Sequence, residues 1–347
     1  MGKIAPRTIL IKGMLKSPLN KLQAVLREYT RLCAEGADIV RVAVPEEKSI
    51  AVFPKLRALN KPALVEADIH FNHRWALKAI EAGAQIVRLN PLNVKNPADV
   101  RRVIGAARDH GVQVRIGINS GGFRKHFADA GALARAMSKT VGGYLAIFEK
   151  EKFYDIIISL KAPSIEATYL ANKYASEQFS YPLDVGITSS GPYIEGIVKS
   201  SIGISRLLTL KNVASLRVSL SAPSYMEIRV ARYILQSLGF RKELEIITCP
   251  TCSRCKVNLF GMVDDFKEQI TERDPTVWSL PVSVAIMGCE VNGPGEASQA
   301  DLGIACGSGK AVLFAKGKQI RSVPAQAAVS VLVEEIRKRR PDEVQGN

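Results

Sequence analysis

The sequence predicts an α/β chain: an eight-stranded parallel (β/α)8 barrel over residues 1–240, then a small α+β domain over residues 241–347. Three observations predict it. Eight short, β-rich apolar runs end in polar or turn residues. Helical patterns separate most of them, and such alternation implies a parallel sheet. Eight units over about 240 residues match the ~250 typical of a closed barrel. After residue 240 the texture changes to cysteine- and glycine-rich. A doubly wound open sheet usually needs only five or six strands, and its glycine fingerprint after the first strand is missing.

The predicted strands are Thr8–Lys12, Ile39–Val44, Ala63–Ile69, Ile86–Asn90, Val112–Asn119, Ile156–Lys161, Leu183–Thr188 and Leu216–Leu220. Helices are predicted at Leu22–Glu35, Trp75–Ala82, Ala98–His110 and Ser224–Leu238, from apolar residues at spacings of three and four. Gly36, Gly83, Gly111 and Gly239 stand near their ends, where a left-handed residue stops a helix. The second domain shows short strands at Ser283–Ile286 and Ala311–Ala315. A closing helix over Ala325–Arg339 is stopped by Arg340-Pro341.

Charge is the unusual feature. The 347 residues hold 48 Lys and Arg against 33 Asp and Glu, a net +15, and 47% are hydrophobic, which excludes wholesale disorder. No apolar run reaches the ~18–20 residues of a membrane helix. Lys3, Pro6, Arg7 and Lys12 break up a would-be signal peptide, and Pro6 spoils an acylation site at Gly2. The chain therefore reads as cytoplasmic, where thiols stay reduced. An RNA-binding role for the positive charge would require a basic tract interleaved with exposed aromatics. Instead, the basic residues sit inside or beside predicted strands.

Arg41, Arg88, Arg115, Lys161 and Arg217 lie within strands that a parallel barrel covers on both faces, and Lys199 follows the seventh strand in a predicted loop. A buried cation must find an anion or lose its charge. Glu66, Asp68, Asp155 and Asp184 can pair some of them, but the set exceeds the acids. Barrel active sites lie at the carboxyl ends of the strands, where converging guanidinium groups suit a phosphate or diphosphate. Asp68 and His70, Asn90, Asn119, Ser159, Thr188 and Ser219 extend that end. His70 shares a strand face with Asp68, which makes it a candidate for proton transfer.

Three of the six cysteines, Cys249, Cys252 and Cys255, fall within seven residues, and Cys289 and Cys306 follow. In a reducing compartment such clustering favours metal. With Cys289, these thiolates suit either zinc or a four-iron cluster, and spacing does not choose between them.

The string Gly288-Cys289-Glu290-Val291-Asn292-Gly293-Pro294-Gly295-Glu296-Ala297 resembles the iron–sulphur signature of the 4-hydroxy-3-methylbut-2-enyl diphosphate synthase family, of the non-mevalonate isoprenoid route. Further matches follow in order: Ile39-Val40-Arg41-Val42-Ala43-Val44-Pro45, Ala67-Asp68-Ile69-His70-Phe71, Val114-Arg115-Ile116-Gly117-Ile118-Asn119, Ile158-Ser159-Leu160-Lys161, Lys199-Ser200 and Arg217-Val218-Ser219-Leu220. The resemblance implies a barrel followed by a [4Fe–4S] cluster domain. Cys249, Cys252 and Cys289 would hold three irons and Glu296 the fourth, through a weak, exchangeable and therefore catalytically useful carboxylate. It implies reductive ring opening and dehydration of 2-C-methyl-D-erythritol 2,4-cyclodiphosphate. Arg41, Arg88, Arg115, Lys199 and Asn119 match diphosphate-binding positions, and Asp68 and His70 match the pocket floor. Electrons would come from ferredoxin or flavodoxin, and a head-to-tail homodimer would complete the site.

Three stretches depart from the family pattern. Lys12-Gly13-Met14-Leu15-Lys16-Ser17 replaces Gln-Ser-Met-Thr-Asn-Thr, Leu92 replaces a glycine, and Thr188-Ser189-Ser190-Gly191 replaces Thr-Glu-Ala-Gly. The lost glutamate is the family's candidate acid, which leaves the added Glu66 or Glu195 to be considered instead. Cys255 and Cys306 have no family role. Gly307-Ser308-Gly309-Lys310 weakly resembles a phosphate cradle.

Overall fold

A computed structural model describes residues 8–339; the expected helix stop at Arg340-Pro341 and the segment Met1–Arg7 lie outside the described residues. The chain divides into two compact units after Phe240.

The first unit is a closed barrel of eight parallel strands in sequential order. These are β1 (Leu10–Met14), β2 (Ile39–Val44), β3 (Leu64–Ile69), β4 (Ile86–Leu89), β5 (Gln113–Asn119), β6 (Ile156–Lys161), β7 (Leu183–Val185) and β8 (Val213–Leu216). Pairing of Leu10 with Ser215 and of Ile11 with Leu216 closes the ring. Eight helices alternate with the strands: α1 (Leu22–Ala34), α2 (Val52–Ala58), α3 (His73–Glu81), α4 (Pro97–Asp109), α5 (Ala130–Lys150), α6 (Ile165–Gln178), α7 (Tyr193–Leu207) and α8 (Ser224–Ser237).

Local chemistry accounts for each helix, and α4 illustrates it. Asn96 caps it by accepting from Ala98 N at 3.0 Å, and Pro97 occupies the first turn, where no amide partner is needed. Val100, Val103, Ile104 and Ala107 recur at helical spacing and are buried. Burying each valine or isoleucine is worth roughly 1.5–3 kcal/mol, so this face holds the helix to the barrel more firmly than the ~1 kcal/mol cap.

Three strand expectations need correction. The seventh strand ends at Val185, three residues short of Thr188. The first strand begins at Leu10 and runs on to Met14, where Leu15 N still bonds Arg41 O at 3.0 Å. The eighth occupies Val213–Leu216, not Leu216–Leu220. Val218 and Leu220 are buried and alternate like a strand, but Leu220 N donates to the Glu227 carboxylate at 2.8 Å instead of to a neighbouring strand. The stretch that sequence pattern marks as strand is the rim of the barrel.

The second unit is a five-stranded sheet in the order β13-β12-β11-β10-β9. Its elements are β9 (Glu245–Thr248), α9 (Leu259–Arg273), β10 (Ser283–Met287), α10 (Gly293–Gln299), β11 (Leu302–Cys306), β12 (Lys310–Ala315), β13 (Lys318–Pro324) and α11 (Ala328–Arg337). Strands β9, β10 and β11 are parallel, and β12 and β13 add antiparallel. Phe266 and Ile270 of α9 and Leu332, Val333 and Ile336 of α11 form a core with Val284, Ile286, Leu302 and Ile304. Among the described residues no helix is long and apolar enough to cross a membrane.

Candidate functional site

Inside the barrel, cations and acids from seven strands meet. Lys12 Nζ lies 2.6 Å from Glu66 Oε2 and 3.4 Å from Asp184 Oδ1. Arg115 donates to Glu66 through Nε at 3.0 Å and through a close Nη2 contact, and its Nη1 lies 3.6 Å from Asp184. Arg41 pairs closely with Asp68, and Arg88 Nη1 lies 3.2 Å from the other oxygen of Asp68. Lys161 Nζ donates to Asp184 Oδ2 at 2.9 Å, and Ser215 Oγ donates to Oδ1 at 2.9 Å. Arg217, half-buried on the rim after β8, joins this field.

Charge in this space is unequal. Five cations, Lys12, Arg41, Arg88, Arg115 and Lys161, face Glu66, Asp68 and Asp184, and at the rim Lys16 and Arg217 share Glu227, seven cations against four acids. Three formal positive charges are left over. The acids stay ionised. Burial pushes Glu66 up, but Arg115, Lys12 and Arg41 outweigh it and hold the carboxyl at about 2. Asp68 and Asp184 are likewise held well below the carboxylate range, against burial, by Arg41 and the His70 bond and by Lys12 and Lys161 respectively. The cations bear the cost. Burial lowers Lys161 to about 7 and Arg88 to about 10, despite Asp184 and Asp68. The Nε atoms of Arg41, Arg88 and Arg217 are buried with no hydrogen-bond partner. Desolvated donors in an uncompensated positive field are what an anion would satisfy.

Gly117 makes this possible, and no charge signal marks it in the sequence. A Cβ there would lie 2.6 Å from Arg88 Nε and 3.0 Å from Arg115 Nη1. The bare α-carbon lets two guanidinium groups share one side of the barrel, and Arg88 Nη2 donates to Gly117 O at 2.7 Å.

Lys12 of β1 and Glu66 of β3, both read from the sequence as departures from the family pattern, form one fully buried ion pair. Glu66 is thus the counter-ion of Lys12 and Arg115 and holds no proton to donate at neutral pH. Glu195 lies exposed in the first turn of α7. Ser189 is exposed in a left-handed backbone conformation, φ +51°. It lines a ≈ 310 Å³ pocket with Thr188, Arg217, Ser219, Lys16 and Glu227. Lys16 is locked there, its Nζ reaching Ala222 O at 2.6 Å, Glu227 Oε1 at 2.9 Å and Leu220 O at 3.0 Å. Leu92 packs over Gly122, where a Cβ would lie 2.7 Å from Leu92 Cδ1.

Other expected residues fall in different places. His70 Nε2 lies 3.1 Å from Asp68 Oδ2, with the ring half exposed. Asn90 is buried and its side chain accepts from Leu92 N at 3.1 Å, so it shapes the loop after β4. Asn119 pairs in register with Lys161 at the strand ends. Two readings are corrected. Lys199 belongs to helix α7, not to a loop, because the helix starts six residues earlier at Tyr193. Asp155 is exposed before β6 and accepts from Gln113 at 2.6 Å, so it neutralises nothing inside.

In the second unit all the cysteines are free thiols. Cys249 follows β9, and Cys252 is exposed beyond a turn through Thr251 at φ +64°. Cys289 is buried after β10, where the backbone N–H groups of Asn292, Val291 and Gly293 face its sulfur and lower the thiol's pKa. Glu296 is exposed in the first turn of α10. Cys255 donates to Val257 O at 3.3 Å and packs against Gly288. Cys306 is fully buried, and burial pushes its thiol up to about 11, which marks it as a core residue. Among the described residues no three His, Cys, Asp or Glu converge tightly enough to hold a single metal ion. A four-iron cube, by contrast, takes one ligand on each separate iron. The weak phosphate-cradle reading of Gly307–Lys310 is corrected. A Cβ on Gly307 would meet the Glu290 carboxylate at 1.7 Å, so an acid already fills that turn.

Comparison with known proteins bears on both units. The barrel unit matches the GcpE TIM-barrel domain over residues 3–232, and the second unit matches the GcpE C-terminal domain over residues 245–338. A Thermodesulfovibrio yellowstonii protein named 4-hydroxy-3-methylbut-2-en-1-yl diphosphate synthase (flavodoxin) is 40% identical over 97% of this chain and 95% of its own length. A protein of the same name from Caldanaerobacter subterraneus is 39% identical over 95% and 92%. Among solved structures, dihydropteroate synthases from Xanthomonas albilineans (TM-score 0.50, 15% identity, 67% of this chain and 93% of that one) and Yersinia pestis (0.51, 12%, 68% and 96%) share the barrel fold alone. By both domain matches and full-length identity, the chain belongs to the GcpE family of 4-hydroxy-3-methylbut-2-en-1-yl diphosphate synthases.

Proposed function

We propose that the chain is an oxidoreductase of isoprenoid biosynthesis that opens the ring of 2-C-methyl-D-erythritol 2,4-cyclodiphosphate and removes a hydroxyl as water, giving 4-hydroxy-3-methylbut-2-enyl diphosphate. The observation that carries this reading is the seven-to-four excess of cations over acids inside and at the rim of the barrel of a chain 40% identical to a named synthase.

In this reading Arg41, Arg88, Arg115, Lys161 and Arg217 bind the diphosphate, and Asn119, Thr188, Ser219 and Lys199 complete its contacts. Fixed, desolvated guanidinium groups need no reorganisation when the anion arrives. Asp68 keeps Arg41 and Arg88 aligned. Departure of water consumes a proton. Ser189 is a poor donor at neutral pH. His70, beside an aspartate that stays ionised, is the proton-transfer group of this reading.

The second unit's residues fit an iron–sulphur cluster. Cys289 receives three backbone N–H groups, an arrangement that stabilises a thiolate, and Glu296 is exposed and available. Cys249, Cys252, Cys289 and Glu296 would hold a [4Fe–4S] cluster that would relay the two electrons singly from the donor. Flavodoxin, named for the relatives, or ferredoxin is the donor, and a head-to-tail homodimer is the working form.

The test is anaerobic turnover of the cyclodiphosphate with dithionite and a mediator dye. Consumption with formation of the linear diphosphate is expected. Binding without consumption would show that the Ser189 departure has changed the reaction.

A further inference from the structure

Glu66 and Asp184 are fully buried, and each divides its two oxygens. Glu66 accepts from Arg115 Nε on Oε1 at 3.0 Å and from Lys12 Nζ on Oε2 at 2.6 Å. Asp184 accepts from Lys161 Nζ on Oδ2 at 2.9 Å, with Arg115 Nη1 3.6 Å away. Its Oδ1 accepts from Ser215 Oγ at 2.9 Å and lies 3.4 Å from Lys12 Nζ. One oxygen of each acid thus faces Arg115 and Lys161, and the other faces Lys12. The Lys12 side chain is 0% exposed, against 3% for Arg115, 5% for Lys161 and 10% for Arg41. A ligand entering at the strand ends meets those three cations and not Lys12.

The role of Lys12 follows from what its two acids would do without it. A carboxylate with both oxygens open takes an arginine in bidentate fashion, and such a pair is strong. Arg115 now meets Glu66 through one oxygen only. With Oε2 free, Glu66 would grip Arg115 at two points, and Asp184 would draw in Lys161 and Arg115 Nη1. Both acids would then compete with an incoming anion for the same donors. Lys12 also places a positive charge beneath the pocket, where desolvation lets it act over several ångströms.

We propose that Lys12 is a positioning residue of the anion site: it occupies the inner oxygens of Glu66 and Asp184 and so leaves Arg115 and Lys161 available to a diphosphate. This inference rests on the diphosphate reading above and names the residue that keeps two of its cations free.

Lys161 reports the effect. Burial lowers it to about 7; Asp184 on β7 opposes this, and Arg115 on β5, Lys12 on β1 and Arg217 at the rim lower it further. Affinity for an anion should therefore begin to fall as pH rises past about 7. Each phosphate of the cyclic ligand carries a single, strongly acidic hydroxyl, so the ligand itself does not titrate there. Removing Lys12 removes a cation that holds Lys161 down, and the fall should move to higher pH.

The test is calorimetric titration of the holoenzyme, without reductant, with 2-C-methyl-D-erythritol 2,4-cyclodiphosphate between about pH 6 and about pH 9. At the acid end Lys12→Met should bind at least ~10-fold more weakly than the unmodified chain. Its fall in affinity should lie at higher pH. Lys12→Met/Glu66→Gln removes one charge of each sign and keeps an oxygen toward Arg115, so affinity should return to within ~3-fold. Should Lys12→Met fail to fold, Lys12→Gln keeps a donor for Glu66, removes the charge and reads the same loss. Equal affinity of Lys12→Met and the unmodified chain overturns the proposal. A loss at every pH with the midpoint unmoved marks a packing defect and overturns it as well. No binding by the unmodified chain overturns the diphosphate reading itself.

Discussion

The barrel interior and the cysteine loops use charge in opposite ways. In the barrel, Glu66, Asp68 and Asp184 hold five cations, Lys12, Arg41, Arg88, Arg115 and Lys161, in fixed positions, so the pocket is ordered before any ligand arrives. In the second unit Cys252 and Glu296 are exposed and Cys289 is supported mainly by backbone N–H groups. The lesson is that one half carries its own counter-ions while the other, in the reading proposed above, would draw its order from a cofactor. Substitutions should therefore act through stability and binding in the first, and through cofactor content in the second.

The sharpest way to break that contrast is Cys289→Ser. Iron should fall from the about four per chain of one cubane to background, and turnover with it, while diphosphate binding persists. Metal analysis and a binding titration on the same sample check both halves. Loss of both together would mean the halves are not separable.

Next in size is the Lys12–Glu66 pair. Glu66→Gln alone leaves Lys12 and Arg115 short of their shared anion and should cost about 3–5 kcal/mol; Lys12→Met alone, which leaves Glu66 paired with Arg115, should cost less, and the double variant should cost less than the sum of the two. Denaturant unfolding of the three variants gives the coupling directly. Additive losses would contradict the pairing of these two departures.

A smaller effect is expected for Gly117→Ala. The new methyl would displace Arg88, costing roughly 1–3 kcal/mol of overpacking. KM for the diphosphate should rise with iron content unchanged.

The smallest is a pH effect. Burial sets Lys161 at about 7 against its ordinary 10.5. Between those values the unfolded chain holds a proton that the folded chain has released, so this residue's contribution makes stability rise with pH across that window. Substitution by Met should remove that slope. Glu66 acts at the other end: its contribution is complete above its ordinary 4.5 and is lost as pH falls toward about 2.

Much of the fold was legible because apolar runs such as Ile39–Val44 and Ile156–Lys161 are buried on both faces and match their strands residue for residue. Strand β8 was misread because Val218 and Leu220 are buried by the rim, and burial alone mimics a strand. Strands β9 and β13 went unread because they are largely exposed edges with no continuous apolar run. The cationic set was legible from charges inside apolar runs. Gly117 was not, since its role is the absence of an atom.

The central claim is that the cations form an anion site and not merely a paired core. Calorimetric titration of the iron-free chain with 2-C-methyl-D-erythritol 2,4-cyclodiphosphate tests it most directly. One molecule should bind per barrel, with affinity that falls as salt rises and falls further in Arg217→Met. No binding at millimolar ligand, or binding untouched by that substitution, would contradict it.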